Sequence, residues 1–226
     1  NPERSLEGLC RQMVEVIPTI LTSDAREAEE KISRLEGLVK KVQIDILDGV
    51  FAGNRTIEPS ALEGIETSLA LDFHLMTKEP VDWVERAVRA GADRIIGQIE
   101  MMADQVAFLG KVQEAGISVG LAIDLPTPVS SLEATILNNL DVVLVMSVKA
   151  GFGGQEFDEG ALDKIKELNS LRQKDTNPFR ICVDGGVTPE LMAKLEKAGA
   201  DEVAVGRRLF NGDLEENLKI YGQGLF

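Results

Sequence analysis

The chain has 226 residues, 44% hydrophobic and 27% charged, a composition that describes a globular domain with ample core and excludes a disordered or membrane-embedded chain. Its 24 basic against 38 acidic residues give a formal net charge of −14, which argues against nucleic acid or an anionic membrane as partner, since both need basic patches. An anionic ligand would have to be met by local positive potential built from backbone N–H groups.

Taken in order, residues 5–14 set Leu6, Leu9, Cys10, Met13 and Val14 on one helical face. Residues 1–15 therefore read as an N-terminal helical extension that caps the domain or meets a partner subunit. Residues 16–21 form the first strand, and Ser23 or Asp24 caps a helix running to about Glu36. A second strand at 39–47 is followed by a Gly-, Asn- and Arg-containing loop over 48–59 and a short helix at 60–67. Further strands fall at 70–76, 93–99, 118–123, 141–147, 180–184 and 202–205. Helices are expected between them at 80–90, 103–115, 129–138 and 158–173, with one opening at Thr188-Pro189-Glu190 and a last one at 214–221.

Short apolar strands alternating with helices are the pattern of parallel strands buried on both faces. Eight such units predict an α/β chain that forms a single (β/α)8 TIM barrel over residues 16–226, with the N-terminal helix added. Internal echoes agree: Arg89-Ala-Gly-Ala-Asp93 recurs as Lys197-Ala-Gly-Ala-Asp201, with Glu114-Ala-Gly116 as a fainter copy. An open doubly wound sheet would carry a Gly-rich loop after its first strand, and Pro18-Thr-Ile-Leu-Thr22 has no Gly. No apolar run approaches the roughly twenty residues of a membrane span. The opening residues lack a signal-peptide core, and Cys10 and Cys182 form no motif. A cytoplasmic protein with free buried thiols is expected.

Barrel chemistry sits at the C-terminal strand ends. The polar residues there are Gln43 and Asp45 on strand two, Asp72 and His74 with Met76 on one face of strand three, Met146 and Ser147 on strand six, and Asp184 on strand seven. A carboxylate inside an apolar strand is costly unless it has partners or a task, which makes Asp45 a candidate acid/base. His74 is the single histidine. Together Asp45, His74 and Asp184 can hold one divalent metal such as Zn, Mn, Fe or Co, with the Gln43 amide oxygen as a weak fourth ligand. A second group suits phosphate: Gly153 and Gly154 in Gly151-Phe-Gly-Gly-Gln155, Gly185 and Gly186 after Asp184, and Gly206 after the eighth strand. Arg207 either adds a charge to that phosphate or points to solvent.

Six stretches, Val16-Ile-Pro-Thr-Ile-Leu21, Ile44-Asp-Ile-Leu-Asp-Gly49, Leu71-Asp-Phe-His-Leu-Met76, Val145-Met-Ser-Val148, Gly151-Phe-Gly-Gly-Gln155 and Val183-Asp-Gly-Gly186, resemble the ribulose-phosphate 3-epimerase family in order and spacing. The resemblance implies inversion at C3 of a ketose phosphate, D-ribulose 5-phosphate to D-xylulose 5-phosphate or a close analogue. It casts Asp45 and Asp184 as the proton-transfer pair and a metal, commonly Zn, as the stabiliser of the enediolate. It also implies that Met76 and Met146 line the reacting centre, that Thr19 supplies a hydroxyl where Ser is usual, and that the chain forms a homo-oligomer acting on a small sugar phosphate. The departures are Gln43 where the family has a metal-binding His, Leu47 for a third Met, Gln98 for a strand-four His, Ala150 for a Pro and Arg207 for a small Ser. Gln43 predicts a weakly held metal, and its presence leaves open a degenerate barrel that binds sugar phosphate without metal-dependent turnover. Related decarboxylases and aldolases put a Lys on strand three, and Leu71-Asp-Phe-His-Leu-Met76 has none.

Overall fold

A computed structural model describes residues 14–173 and 178–222. Eight parallel strands close on themselves in chain order: β1 Glu15–Ile20, β2 Lys41–Leu47, β3 Ala70–Met76, β4 Arg94–Gln98, β5 Ser118–Ile123, β6 Val142–Met146, β7 Arg180–Asp184 and β8 Glu202–Val205. Pairing of β8 with β1 completes the barrel, so no sheet edge is left open. This is the expected (β/α)8 architecture. The expected N-terminal helix and Cys10 lie outside the described residues.

Seven helices surround the strands among the described residues: α1 Ala25–Leu35, α2 Val84–Arg89, α3 Gln105–Glu114, α4 Ala161–Arg172, α5 Met192–Ala198, α6 Arg207–Phe210 and α7 Leu214–Ile220. Helix α1 shows why they form. Asp24 caps it by accepting from the Arg26 N–H at 2.9 Å, and Ala28, Ile32 and Leu35 recur at helical spacing to face the barrel. Two expected helices are replaced by tighter turns. Residues 60–67 hold only the 3-10 turn Pro59–Leu62, and 129–138 splits into Val129–Ser131 and Ala134–Asn139. In the second case the Glu133 carboxylate accepts from both the N–H and the hydroxyl of Thr135, so side chains compete with the i to i+4 ladder. The short helix α6 was not expected from the sequence.

Strand alternation divides the apolar residues into two layers. Val42, Ile44 and Ile46 face the helices, while Ile17, Leu47, Met76, Leu144 and Cys182 face into the barrel. The bottom of the barrel is closed by charge. Arg94 bonds Asp72 and lies 2.8 Å from Glu202, Lys41 reaches Glu202 at 3.2 Å, and Arg180 reaches Glu15 at 3.0 Å. Asp72 thus shares a face with His74 but sits at the bottom of the barrel, away from the C-terminal strand ends, contrary to the sequence-based grouping. The Ala-Gly-Ala-Asp echoes also have a physical basis. The carboxylates of Asp93 and Asp201 each accept, at 2.8 Å, the first free N–H of a neighbouring strand, from Leu71 and Ile181, and Asp141, outside the echoes, does the same for Val119.

Candidate active site

The upper ends of β1, β2, β3 and β7 bring five polar side chains together. Parallel register sets Thr19 beside Gln43 and Asp45 beside His74. Asp184 ends β7, three steps round the barrel from β2. His74 Nδ1 lies 3.4 Å from Asp45 Oδ1 and 3.7 Å from Asp184 Oδ2. Thr19 donates to Asp45 Oδ2 at 2.8 Å. Gln43 Nε2 donates to Asp45 Oδ1 at 2.9 Å and to Asp184 Oδ2 at 2.7 Å. All of these side chains are buried.

Electrostatics follow from that crowding. Burial, then the Asp45 carboxylate, push Asp184 up to about 7, against the opposing pull of His74 and the Gln43 amide. Burial alone would depress the His74 imidazole. The nearby Asp45 carboxylate first, then the Asp184 charge and the contact with Gln98, outweigh that and raise it. The crowding thus raises the proton affinity of Asp184, a direction that suits a proton donor.

Asp45, His74 and Asp184 each present a ligand atom within 4.8 Å of the others. His74 Nδ1 is buried with no hydrogen-bond partner, aimed at two carboxylates. An imidazole lone pair facing two carboxylates in a space of this size fits a divalent ion. Gln43 does not present its oxygen to that space: Oε1 is buried and unpartnered, and the amide nitrogen faces the acids. The imidazole is oriented from behind, where Nε2 stands 2.8 Å from Gln98 Oε1. From the sequence, Gln98 stands out only as a departure from the family pattern. Its signal was available, as a polar side chain on the inward face at the end of β4.

Above these groups opens a cavity of about 900 Å³, lined by Thr19, Asp45, Met76, Met146 and Asp184 and by Gly153, Gly154, Gly185, Gly186 and Gly206. Among these, Gly154 and Gly186 hold φ values that side chains rarely adopt. Gly186 has φ 61, and a Cβ there would collide with the backbone of Glu156 and Phe157. At Gly154, φ 81, a Cβ would fall 2.6 Å from Arg207 Nη1. The Arg207 guanidinium therefore lies across the Gly153–Gly154 turn, and Lys31 and Arg34 of α1 also reach the cavity. Ser147, by contrast, is structural: its hydroxyl donates to the Asp184 carbonyl at 2.9 Å and ties β6 to β7. Asp48 likewise accepts the N–H groups of Val50, Phe51 and Lys78 and pins the loop after β2, which holds its carboxyl below the usual range despite burial.

The shape of the barrel is shared with solved structures of low identity. A 3-keto-L-gulonate-6-phosphate decarboxylase from Vibrio cholerae superposes with a TM-score of 0.64 at 14% identity, covering 93% of this chain and 96% of that one. A tryptophan synthase alpha subunit from Campylobacter jejuni does so at 0.60 and 16%, covering 95% and 96%. These show the fold alone. Sequence relatives say more. A ribulose-phosphate 3-epimerase of Bacillus subtilis is 34% identical over 202 residues, spanning 88% of this chain and 93% of the relative. A chloroplastic ribulose-5-phosphate-3-epimerase of Arabidopsis thaliana is 34% identical over 211 residues, spanning 90% and 74%. The sequence model of the ribulose-phosphate 3 epimerase family matches residues 15–210, a span that contains every strand and every side chain of the site, and the chain belongs to that family.

Proposed function

We propose that this chain inverts C3 of a ketose phosphate, interconverting D-ribulose 5-phosphate and D-xylulose 5-phosphate or a close analogue, by proton transfer between Asp45 and Asp184. The observation that supports it is the meeting of two carboxylates from separate strands, bridged by one amide, at the floor of one glycine-rimmed cavity. A C–H beside a carbonyl is weakly acidic, so its removal needs a base within reach and positive or donor groups beside the oxygens. Asp45, oriented by Thr19, is the base for one configuration, and Asp184 delivers its proton to the other. In the reverse direction the roles exchange. Met76 and Met146 wall the reacting carbons with soft apolar surface and exclude water. Gly153, Gly154, Gly185, Gly186 and Gly206 leave backbone open to the phosphate, and Arg207 adds a charge to it.

Asp45, His74 and Asp184 would hold a divalent ion, with Zn first and Mn, Fe or Co as alternatives. When bound, the ion supplies Lewis-acid polarisation beside the reacting carbonyl. Gln43 makes the ion weakly held, and its contacts to both acids favour a second reading, a barrel that binds sugar phosphate without turnover. The proposed compartment is the cytoplasm; among the described residues no helix is long and apolar enough to cross a membrane. The proposed assembly is a homo-oligomer.

Incubation with D-ribulose 5-phosphate in deuterated water, with and without added Zn or Mn, decides between the two readings. Deuterium should enter at C3. Phosphate-competitive binding with no exchange under any ion would establish the second reading. Asp184→Asn should retain the fold and abolish exchange.

A further inference from the structure

We infer that Gln43 is a positioning residue that cross-links the two catalytic carboxylates in the metal-free protein and competes with a divalent ion for the space between them. The inference rests on the metal-site reading of Asp45, His74 and Asp184 only in its second half; the cross-link stands on geometry alone. Gln43 is fully buried on the inward face of β2, one alternation below Asp45. Its Nε2 carries two hydrogens, and two carboxylate oxygens from different strands stand at hydrogen-bond distance, Asp184 Oδ2 at 2.7 Å and Asp45 Oδ1 at 2.9 Å. Each N–H can serve one acid. The positive end of the amide dipole therefore lies between two buried acids, the position a cation would take.

The orientation suits ionised acids. Turned over, the amide would set Oε1 at those same distances from carboxylate oxygens, acceptor against acceptor. The cost of the observed orientation is visible at the other end, where Oε1 is buried without a partner. For Oε1 to ligate an ion, the amide must rotate and give up both bonds. If it stays as it is, the ion's charge faces two N–H dipoles. In either case entry of the ion works against Gln43. An imidazole at this position would add a lone pair without holding both acids by neutral donors.

Gln43→Leu and Gln43→Met test this, each compared with the parent for Zn and Mn affinity by chelator competition and for Tm after exhaustive chelation. Both replacements keep an apolar-compatible volume in a buried site, so simple packing loss is small. The stripped variants should lose several degrees of Tm, because the acids are no longer bridged. They should bind Zn and Mn several-fold more tightly than the parent, and so show a larger metal-induced rise in Tm. Affinity that is unchanged or weaker overturns the competition, weaker binding marking Gln43 as a ligand. An unchanged Tm of the stripped protein overturns the cross-link. A purely structural role for Gln43 would lower Tm without tightening metal binding. If no ion binds parent or variant, the metal reading fails, while the stripped Tm still decides the cross-link; C3 exchange, measured separately, reports on the epimerase reading.

Discussion

Gln98 Oε1 stands 2.8 Å from His74 Nε2, on the side of the imidazole away from the two acids. In a neutral ring this contact puts the hydrogen on Nε2 and the lone pair on Nδ1, the atom that faces Asp45 and Asp184. Partners behind a ligating histidine commonly contribute tenfold to a hundredfold in metal affinity. Gln98→Leu is expected to weaken Zn or Mn binding by about 10- to 100-fold while leaving phosphate binding unchanged, and Gln98→His should recover part of the loss. Competition with a chelating dye reads both variants. Full affinity in Gln98→Leu would mean that packing alone orients the ring.

Metal binding should depend steeply on pH. Asp184 is pushed up to about 7 and His74 is raised, so the metal-free site holds protons that an entering ion must displace. Affinity rises with pH up to and through about 7, and below that range falls by between about one and two decades per pH unit. The sign for stability is the reverse. A group whose folded pKa is raised stabilises the fold below its unfolded value, 3.8 for Asp184, and that contribution is lost as pH rises through about 7. The stripped protein should therefore melt at lower temperature at about pH 8 than at about pH 6. In Asp184→Asn this difference should shrink. Calorimetry in buffers of differing ionisation enthalpy counts the protons released.

Arg207 lies across Gly154 with no acidic partner among the described residues. Loss of one charge-assisted contact to a phosphate costs about 1.5–3 kcal/mol. Arg207→Ala should raise KM for the sugar phosphate by about 10- to 100-fold with little change in kcat, and should flatten the salt dependence of kcat/KM. A fall in kcat with unchanged KM would place Arg207 at the reacting carbons instead. Unchanged kinetics would place its guanidinium in solvent during turnover.

At the other end of the barrel, Arg94 is the shared cation of Asp72 and Glu202, and all three are buried. Burial pushes Asp72 up to about 6 in spite of the opposing pull of Arg94. Removing the cation strands the buried Asp72 and leaves Glu202 to Lys41 and Arg180, a change that typically costs about 3–5 kcal/mol. Arg94→Leu should lower stability by that order in urea unfolding, more at neutral pH than near pH 5, where Asp72 takes up a proton. A loss below about 1 kcal/mol would mean the network is solvated and adds little.

Much of the fold is legible in the chain. Period-two alternation in short apolar runs, punctuated by Gly and by the Ala-Gly-Ala-Asp echoes, specifies eight parallel units, because each strand must bury both faces and each connection must cross back over the sheet. The short segments at 60–67 and 129–138 were less legible. Over such lengths, local bonds such as Glu133 to Thr135 decide between α and 3-10 geometry. Asp72 shows the limit of alternation: it identifies the face but not the height along the barrel, which is set by register and by the cations waiting at the bottom.

The same division holds at the site. Residue types and positions in the sequence determined that Asp45, His74 and Asp184 would gather at one rim with glycine turns above them, since strand ends and parallel closure leave them nowhere else to go. Only the tertiary structure decided which end of the Gln43 amide faces the acids, that Gln98 stands behind His74, and that Arg207 folds over Gly154. Those outcomes depend on distances of about 3 Å between groups on different strands, and a hydrogen bond at that range is set by the packed barrel, not by neighbours in the chain.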